Sequence, residues 1–259
     1  MNKKEIMIGL FIVIVTILTL LLFFKRQHGA SENMFIVGTA AGYAPFVSVN
    51  ELGEYEGFDI DVINEVSKQM DKKLMLKDLG SMTPLFIALE QGTIDAAIWG
   101  LSITKDRLKK VTMVKYQGDT ISSYPMIFWK KIPKGVVSIT DMRDMTVCVE
   151  PHSSQDAVLQ KYNFINTKPT EKVDDALLNI QYNKADAAFV EPAIANKFKK
   201  KYPEVQTLDV QLSEEDQVYG IGIAIRKDNN IIIDSVKKAI QQLDAQGVIH
   251  MLEQKWSIE

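Results

Sequence analysis

Arg107 and Glu191 are the residues whose types and settings could do chemistry on a small charged molecule. A guanidinium pairs bidentately with a carboxylate, a geometry that a lysine ammonium does not reproduce. Arg107 closes the run Gly100-Leu101-Ser102-Ile103-Thr104-Lys105-Asp106-Arg107. Ser102 is read as a loop residue whose hydroxyl can donate beside it, with the backbone N–H groups of Gly100 and its neighbours nearby. Glu191 ends the strand-like run Ala187-Ala188-Phe189-Val190. Strand ends of this kind hold ligands in parallel α/β sheets. A free amino acid offers a carboxylate and an ammonium about one carbon apart, and one fixed cation with one fixed anion would grip both. Taken singly, each residue reads as an ordinary surface charge; the motifs around them single them out.

Other chemistries find less support. His28, His152 and His250 have no metal-ligand spacing, so no metal is expected. There is no Gly-x-Ser-x-Gly elbow, phosphate-binding loop or HExxH pattern. Gly220-Ile221-Gly222 runs on into strand-like Ile223–Ile225 and is no dinucleotide loop. Cys148, the one cysteine, sits in Thr146-Val147-Cys148-Val149 and reads as a buried, inert thiol. No cofactor and no enzymatic activity are expected. A dehydratase with Glu191 as general base is the enzymatic alternative.

The elements that must position these residues alternate in type. Met34–Thr39, Lys73–Lys77 and Ile94–Trp99 read as strands. Between them, Phe58–Met70 reads as a helix with Ile60, Ile63, Val66 and Met70 on one face. Another helix opens at Thr83-Pro84, packs Leu85, Ile87, Ala88 and Leu89 inward, and closes at Gly92. A strand–helix alternation of this kind predicts a mostly parallel sheet. The rhythm returns with a capped turn at Ser138–Met142, strands at Thr146–Val149 and Ala187–Val190, and helices at Ser153–Tyr162, Lys172–Asn183 and Pro192–Lys201. Ser123–Lys130 is an extended stretch from the first series to the second, and Tyr219–Arg226 is another leading back. Ile231–Lys255 forms two helical pieces broken at Gly247. Two crossings between two similar units predict a hinged clamp: lobe 1 over 33–127 with 221–259, lobe 2 over 128–220.

The first 30 residues stand apart. Ile6–Phe24 is an uncharged apolar run, flanked by Lys3, Lys4, Lys25 and Arg26. As a helix it spans roughly 28 Å, near the hydrocarbon thickness of a bilayer. Residues 1–30 are a signal peptide or an uncleaved membrane anchor. The anchor is favoured, because the run is long and the best cleavage position, before Ser31, puts His28 at its outer site. The rest then lies outside the cytoplasm. Net charge is −3 overall and −6 without residues 1–30. A mildly acidic chain is a poor nucleic-acid binder. The basic run Lys197-Phe198-Lys199-Lys200-Lys201 reads as a solvated helix end.

Several motifs, in order, resemble the polar amino-acid solute-binding proteins of ABC importers. They are Gly38-Thr39 with Tyr43-Ala44-Pro45-Phe46, Gly57-Phe58-Asp59-Ile60-Asp61, Gly92-Thr93-Ile94-Asp95 with Gly100–Arg107, Asp186–Glu191, Tyr219–Ala224 and Gly247–Trp256. They cover residues 34–257 and are most similar to arginine-type binders. The resemblance implies a two-lobed periplasmic-binding-protein fold of type II, with the ligand cleft between lobes joined by two hinge strands. It implies a monomer that captures a free polar amino acid, arginine or another basic one favoured, and delivers it to an ABC-type permease. An amino-acid sensor signalling to a membrane partner is the alternative.

The resemblance also implies site roles. Arg107 would take the ligand carboxylate, and Glu191 the ammonium, where the family usually has Asp. Tyr43 would be an aromatic lid over the ligand side chain. The opposing aromatic is replaced by Met82, and Trp99 is expected to supply that face instead. Ser153 and Ser154 would open the helix that binds the carboxylate, with His152 where the family has glycine. That exchange puts the local backbone in question, and His152 either bears on the ligand or is a tolerated loop residue. Ala40 stands where several binders of basic amino acids carry an acid, which leaves that role to another residue, Asp119 being one candidate.

Overall fold

The computed structural model describes residues 33–258. The segment 6–24, and with it the choice between leader and anchor, lies outside them. Among the described residues no helix is long and apolar enough to cross a membrane.

Two sheets organise the chain. In the first, β1 (Met34–Thr39) lies parallel between β4 (Lys73–Asp78) and β5 (Ala96–Ala97). The returning strand β13 (Val218–Arg226) runs antiparallel beside β5, β6 (Ser102–Thr104) and β7 (Val111–Gln117). The first helix, α1 (Phe58–Gln69), buries Phe58, Ile60, Val62, Ile63 and Val66. Each such side chain contributes about 1.5–3 kcal/mol on removal from water. Helix α2 (Met82–Glu90) buries Leu85, Ala88 and Leu89 but leaves Ile87 47% exposed. Two positions past Leu85, Ile87 has turned about 200° around the helix, so the inward packing expected of it fails. A short hairpin, β2 (Ser48–Val49) with β3 (Tyr55–Glu56), leads into α1. Two helices close this half, α7 (Asn230–Ala245) and α8 (Val248–Trp256), with left-handed Gly247 at the break (φ 70°). Asp61 of α1 accepts from Lys255 Nζ and Trp256 Nε1, both at 2.7 Å, and so fixes α8 to α1.

The second sheet has the order β10 (Asn166–Pro169), β9 (Thr146–Val149), β11 (Ala187–Phe189), β8 (Ser123–Trp129), β12 (Val205–Gln211). It carries α4 (Ser154–Leu159), α5 (Val173–Gln181) and α6 (Pro192–Lys201). The lysines that end α6 are exposed, as a solvated helix end requires.

One device appears in both halves. Asp95, just before β5, donates its N–H to Ile36 O at 2.7 Å and accepts from Ile36 N–H at 2.8 Å. Asp186, just before β11, does the same with Thr146, at 2.8 and 2.7 Å. A short acidic side chain thus extends the ladder where the strand itself is brief.

The extended stretch at 123–130 is built wholly into the second sheet. β8 pairs with β12 from Ser123 to Trp129 and with β11 at Met126 and Ile127. The chain therefore changes sheets before Ser123, over 118–122, and returns over 212–217. The two connectors meet where Ile121 and Val218 exchange N–H···O bonds of 2.7 and 3.1 Å.

Candidate ligand-binding site

The site forms where β6 and the short helix α3 (Lys105–Lys110) face the ends of β9 and β11. Thr104 caps α3 by accepting from Arg107 N–H at 3.1 Å. That cap starts the helix at a defined residue and turns the Arg107 side chain back over β6. Its Nη1 donates to Ser102 O at 2.8 Å. Its Nη2 lies 3.0 Å from Met82 Sδ and 3.3 Å from His152 O, which comes from the other half of the molecule. The guanidinium carbon stands 5.6 Å from the centre of the Phe86 ring. Burial lowers the Arg107 pKa, and the nearby Tyr124, Glu191 and Glu150 work against that. Arginine stays charged regardless, which suits it to a partly buried cation role.

Glu191 is the residue before α6, with Pro192 at the first helical position. Its Oε1 accepts from Ser102 Oγ at 2.6 Å, across the two halves. Burial pushes its carboxyl upward, and bonds from Ser102 and Tyr43 with the charge of Arg107 hold it down. Ser102 lies in β6, not in a loop, and is the node of the site. Its carbonyl binds Arg107 and its hydroxyl binds Glu191. Ser154 is buried and shares a 2.8 Å hydrogen bond with Tyr124 OH, which approaches Ser102 Oγ at 3.4 Å.

An aromatic wall stands beside this node. Tyr43 is buried, stacked on Phe46 at 5.5 Å between centroids and tilted against Trp99 at 5.5 Å. Trp99 is 4% exposed, and its Nε1 has no hydrogen-bond partner among the described residues. Gly100 is left-handed (φ 54°), and a Cβ there would meet Tyr43 Cε1 at 2.8 Å. β5 covers only Ala96–Ala97 rather than the whole of 94–99, and the chain turns at Trp99-Gly100 just past it. The Gly100 N–H is held by Asp59 Oδ2 at 2.5 Å, and Tyr116 OH donates to Asp59 Oδ1 at 2.6 Å. Asp59 is fully buried, and desolvation raises its pKa to about 7.

His152 adopts the left-handed conformation that a glycine would take there (φ 62°). Its N–H donates to Asp156 Oδ2 at 2.9 Å, and Ser153 Oγ accepts from Asp156 N–H at 3.0 Å. The backbone is thus shaped despite the side chain, at a strain of about 1–2 kcal/mol.

A cavity of about 20 Å³ lies between the halves, lined in part by Tyr43, Cys148, Glu150, Gln155 and Glu191. That is room for one water, for which about 10–15 Å³ suffices. That space is too small for an amino acid. Cys148 is free and fully buried, and burial pushes its thiol upward, which fits an inert role.

A family model described as bacterial extracellular solute-binding proteins, family 3, matches residues 35–259. The chain belongs to that family. It is a family of binding proteins rather than enzymes, and it works outside the cytoplasm. The chain is 33% identical over 234 residues to the probable ABC transporter arginine-binding protein ArtJ of Chlamydia trachomatis, covering 90% of each. It is 26% identical to the arginine-binding extracellular protein ArtP of Bacillus subtilis, covering 88% of this chain and 87% of that one. Among solved structures, a P235GK mutant of ArgBP from T. maritima superposes with a TM-score of 0.78 at 26% identity, over 90% of this chain and 99% of that one. The two-lobed fold of this solute-binding family is therefore the fold of this protein.

Of the eight residues singled out from sequence, the structure gathers Arg107, Ser102, Glu191 and Met82 into contact. It sets Tyr43, Trp99 and Gly100 in the adjoining wall. Ser154 joins through Tyr124. Met82 meets the site through its sulfur, 3.0 Å from Arg107 Nη2. Asp119 is exposed in the connector after β7 and lines none of the cavity. Sequence reasoning passed over Glu150 and Gln155. For Glu150 a signal was available, because it directly follows β9 and Glu191 lies just past β11, and both sites are ends of parallel strands. Asp59 lay inside a quoted motif, but only its burial reveals that it fixes Gly100.

Proposed function

We propose that this protein captures a free basic amino acid, arginine foremost, outside the cytoplasm and delivers it to an ABC-type importer. The observation that carries the reading is Ser102, which binds the cation Arg107 and the anion Glu191 from opposite halves of the cleft. A zwitterion inserted there would meet a guanidinium at its carboxylate and a carboxylate at its ammonium. The preference for arginine draws on the relatives named above, several of which are arginine-binding proteins by name. Tyr43 adds an aromatic face, worth about 0.5–2 kcal/mol to a cationic side chain.

In this reading Arg107 pairs with the ligand carboxylate, Glu191 with its ammonium, and Ser102 and Ser154 donate hydroxyls. Gly100 keeps the loop clear of the lid, and Trp99 and Met82 back Tyr43 and Arg107. The lobes divide in the connectors at 118–122 and 212–217, a few residues from the edges expected from sequence, and the paired connectors are the hinge. The protein acts as a monomer tethered through the apolar segment 6–24.

A thermal-shift screen of the twenty amino acids on the detergent-solubilised full-length chain tests this. A ligand that binds only the folded state raises its melting temperature. Arginine and lysine are expected to give the largest rises. No rise with any of the twenty contradicts the reading.

A further inference from the structure

A neutral amino acid would leave one acid of the cavity without a partner. Arg107 would meet the ligand carboxylate and Glu191 its ammonium, which closes that account. Glu150 remains. It lines the same cavity as Glu191 and Tyr43, and its side chain makes no hydrogen bond or ion pair among the described residues. An acid in such a place bears a desolvation cost until a cation arrives. Gln155 is 3% exposed, lines the same cavity, and its amide lies beside Glu191, helping to hold that carboxyl down. Its Oε1 accepts from Ser154 Oγ at 3.2 Å, which fixes the amide at the cavity.

We infer that Glu150 is the subsite that selects a positively charged ligand side chain, a guanidinium or an ammonium. The inference rests on the amino-acid-binding reading and names its specificity residue. A neutral side chain gives the Glu150 carboxylate no partner and leaves it protonated, whereas a cationic one pairs with the ionised form in the proton's place. Tyr43 offers the flat face against which a guanidinium can lie while its edge meets the carboxylate.

The titration of Glu150 supplies an independent readout. Burial raises its pKa to about 8, reinforced by Glu191 and Glu171 and opposed by Arg107. Tyr43, which also faces it, is itself pushed up and stays neutral. At pH 7 the empty site therefore holds a proton on Glu150, and an arriving cation expels it. Arginine binding should release close to one proton more in the wild type than in Glu150→Gln.

The test is calorimetric titration of the full-length protein and of Glu150→Gln, at pH 7 in two buffers of different ionisation enthalpy. The titrants are arginine, lysine, citrulline and glutamine. Wild type is expected to prefer arginine or lysine over the neutral pair. Glu150→Gln should weaken arginine by about 30-fold or more, as for loss of one partner of a buried charge pair. It should change citrulline by less than about threefold and lose the extra proton release. A melting temperature within a few degrees of wild type shows that the variant is folded, and Glu150→Asp, which keeps the charge, should recover part of the arginine affinity. Undiminished arginine binding by Glu150→Gln overturns this inference alone. So does a wild type that prefers citrulline or glutamine. Failure of the wild type to bind any amino acid overturns the amino-acid reading and this inference with it.

Discussion

The part of the cleft that would hold the common backbone of an amino acid differs in kind from the part that would meet its side chain. Around Ser102 the polar groups are already matched: Arg107 to its carbonyl, Glu191 to its hydroxyl, Ser154 to Tyr124. Glu150 is not matched. Its side chain lines the cavity with no hydrogen bond or ion pair among the described residues. Buried polar groups are normally satisfied, so an unsatisfied acid at a cleft marks a place built for something else. The matched part offers generic chemistry to any amino acid, and the unmatched part has a preference to express. Substitutions should therefore act on affinity in the first part and on selectivity in the second.

The sharpest way to break this contrast is at Arg107. Arg107→Ala should weaken every amino-acid ligand by about 30- to 4000-fold, because the ligand carboxylate would be buried without a partner. Arg107→Lys should also be costly, since an ammonium cannot make the two-pronged pairing. Calorimetry on both variants checks this, and a loss confined to basic ligands would place Arg107 in the selective part instead. Glu191→Asp should be milder, at about tenfold or less, since the acid is kept and only its reach shortens. Ser102→Ala comes next in size. It strips a buried donor from Glu191, a loss of about 1–3 kcal/mol, and should lower affinity for basic and neutral ligands alike. Competition binding with arginine and glutamine would expose unequal losses.

Asp59 sharpens the comparison through pH. Its folded pKa of about 7 lies above the value near 3.9 of an unfolded chain. The folded state thus holds the extra proton between these values. The stabilisation is fully present below about pH 4 and is lost as pH rises through 7. Glu150 and Glu191 are raised too and act in the same direction. The ligand-free protein should lose stability from pH 4 to pH 8, and Asp59→Asn should flatten the lower part of that slope. Urea unfolding across the range measures it, and a slope unchanged in Asp59→Asn would remove Asp59 from the account. The smallest effect belongs to His152→Gly. Relief of a left-handed φ should raise stability by about 1 kcal/mol while arginine affinity shifts less than about threefold. A large affinity loss would instead bring His152 to the ligand.

Much of this was legible in the sequence because the signals were local. The helix opening at Phe58, the break at Gly247 and the strand at Thr146–Val149 each follow from periodicity or backbone freedom. The grip was legible because guanidinium and carboxylate chemistry narrows the choice to a few residue types. What escaped depends on distance across the fold. Nothing near Ser123 says that β8 will pair with β12 some 80 residues on, so the stretch read as a connector. Ile87 has the right character for a core and the wrong angle on its helix. Gln155, on a helix rather than at a strand end, meets the cavity only when the second sheet closes against Tyr43. His152 shows the converse: the residue type argued against a left-handed turn, and the bonds to Asp156 and Ser153 around it secured one.

The account turns on how one ligand sits across the two halves. A crystal structure of the full-length protein with arginine bound measures this directly. The ligand carboxylate should lie within about 3 Å of the Arg107 guanidinium, in a bidentate pair, with the α-ammonium on Glu191. A ligand bound elsewhere, or turned so that its carboxylate faces away from Arg107, would contradict it.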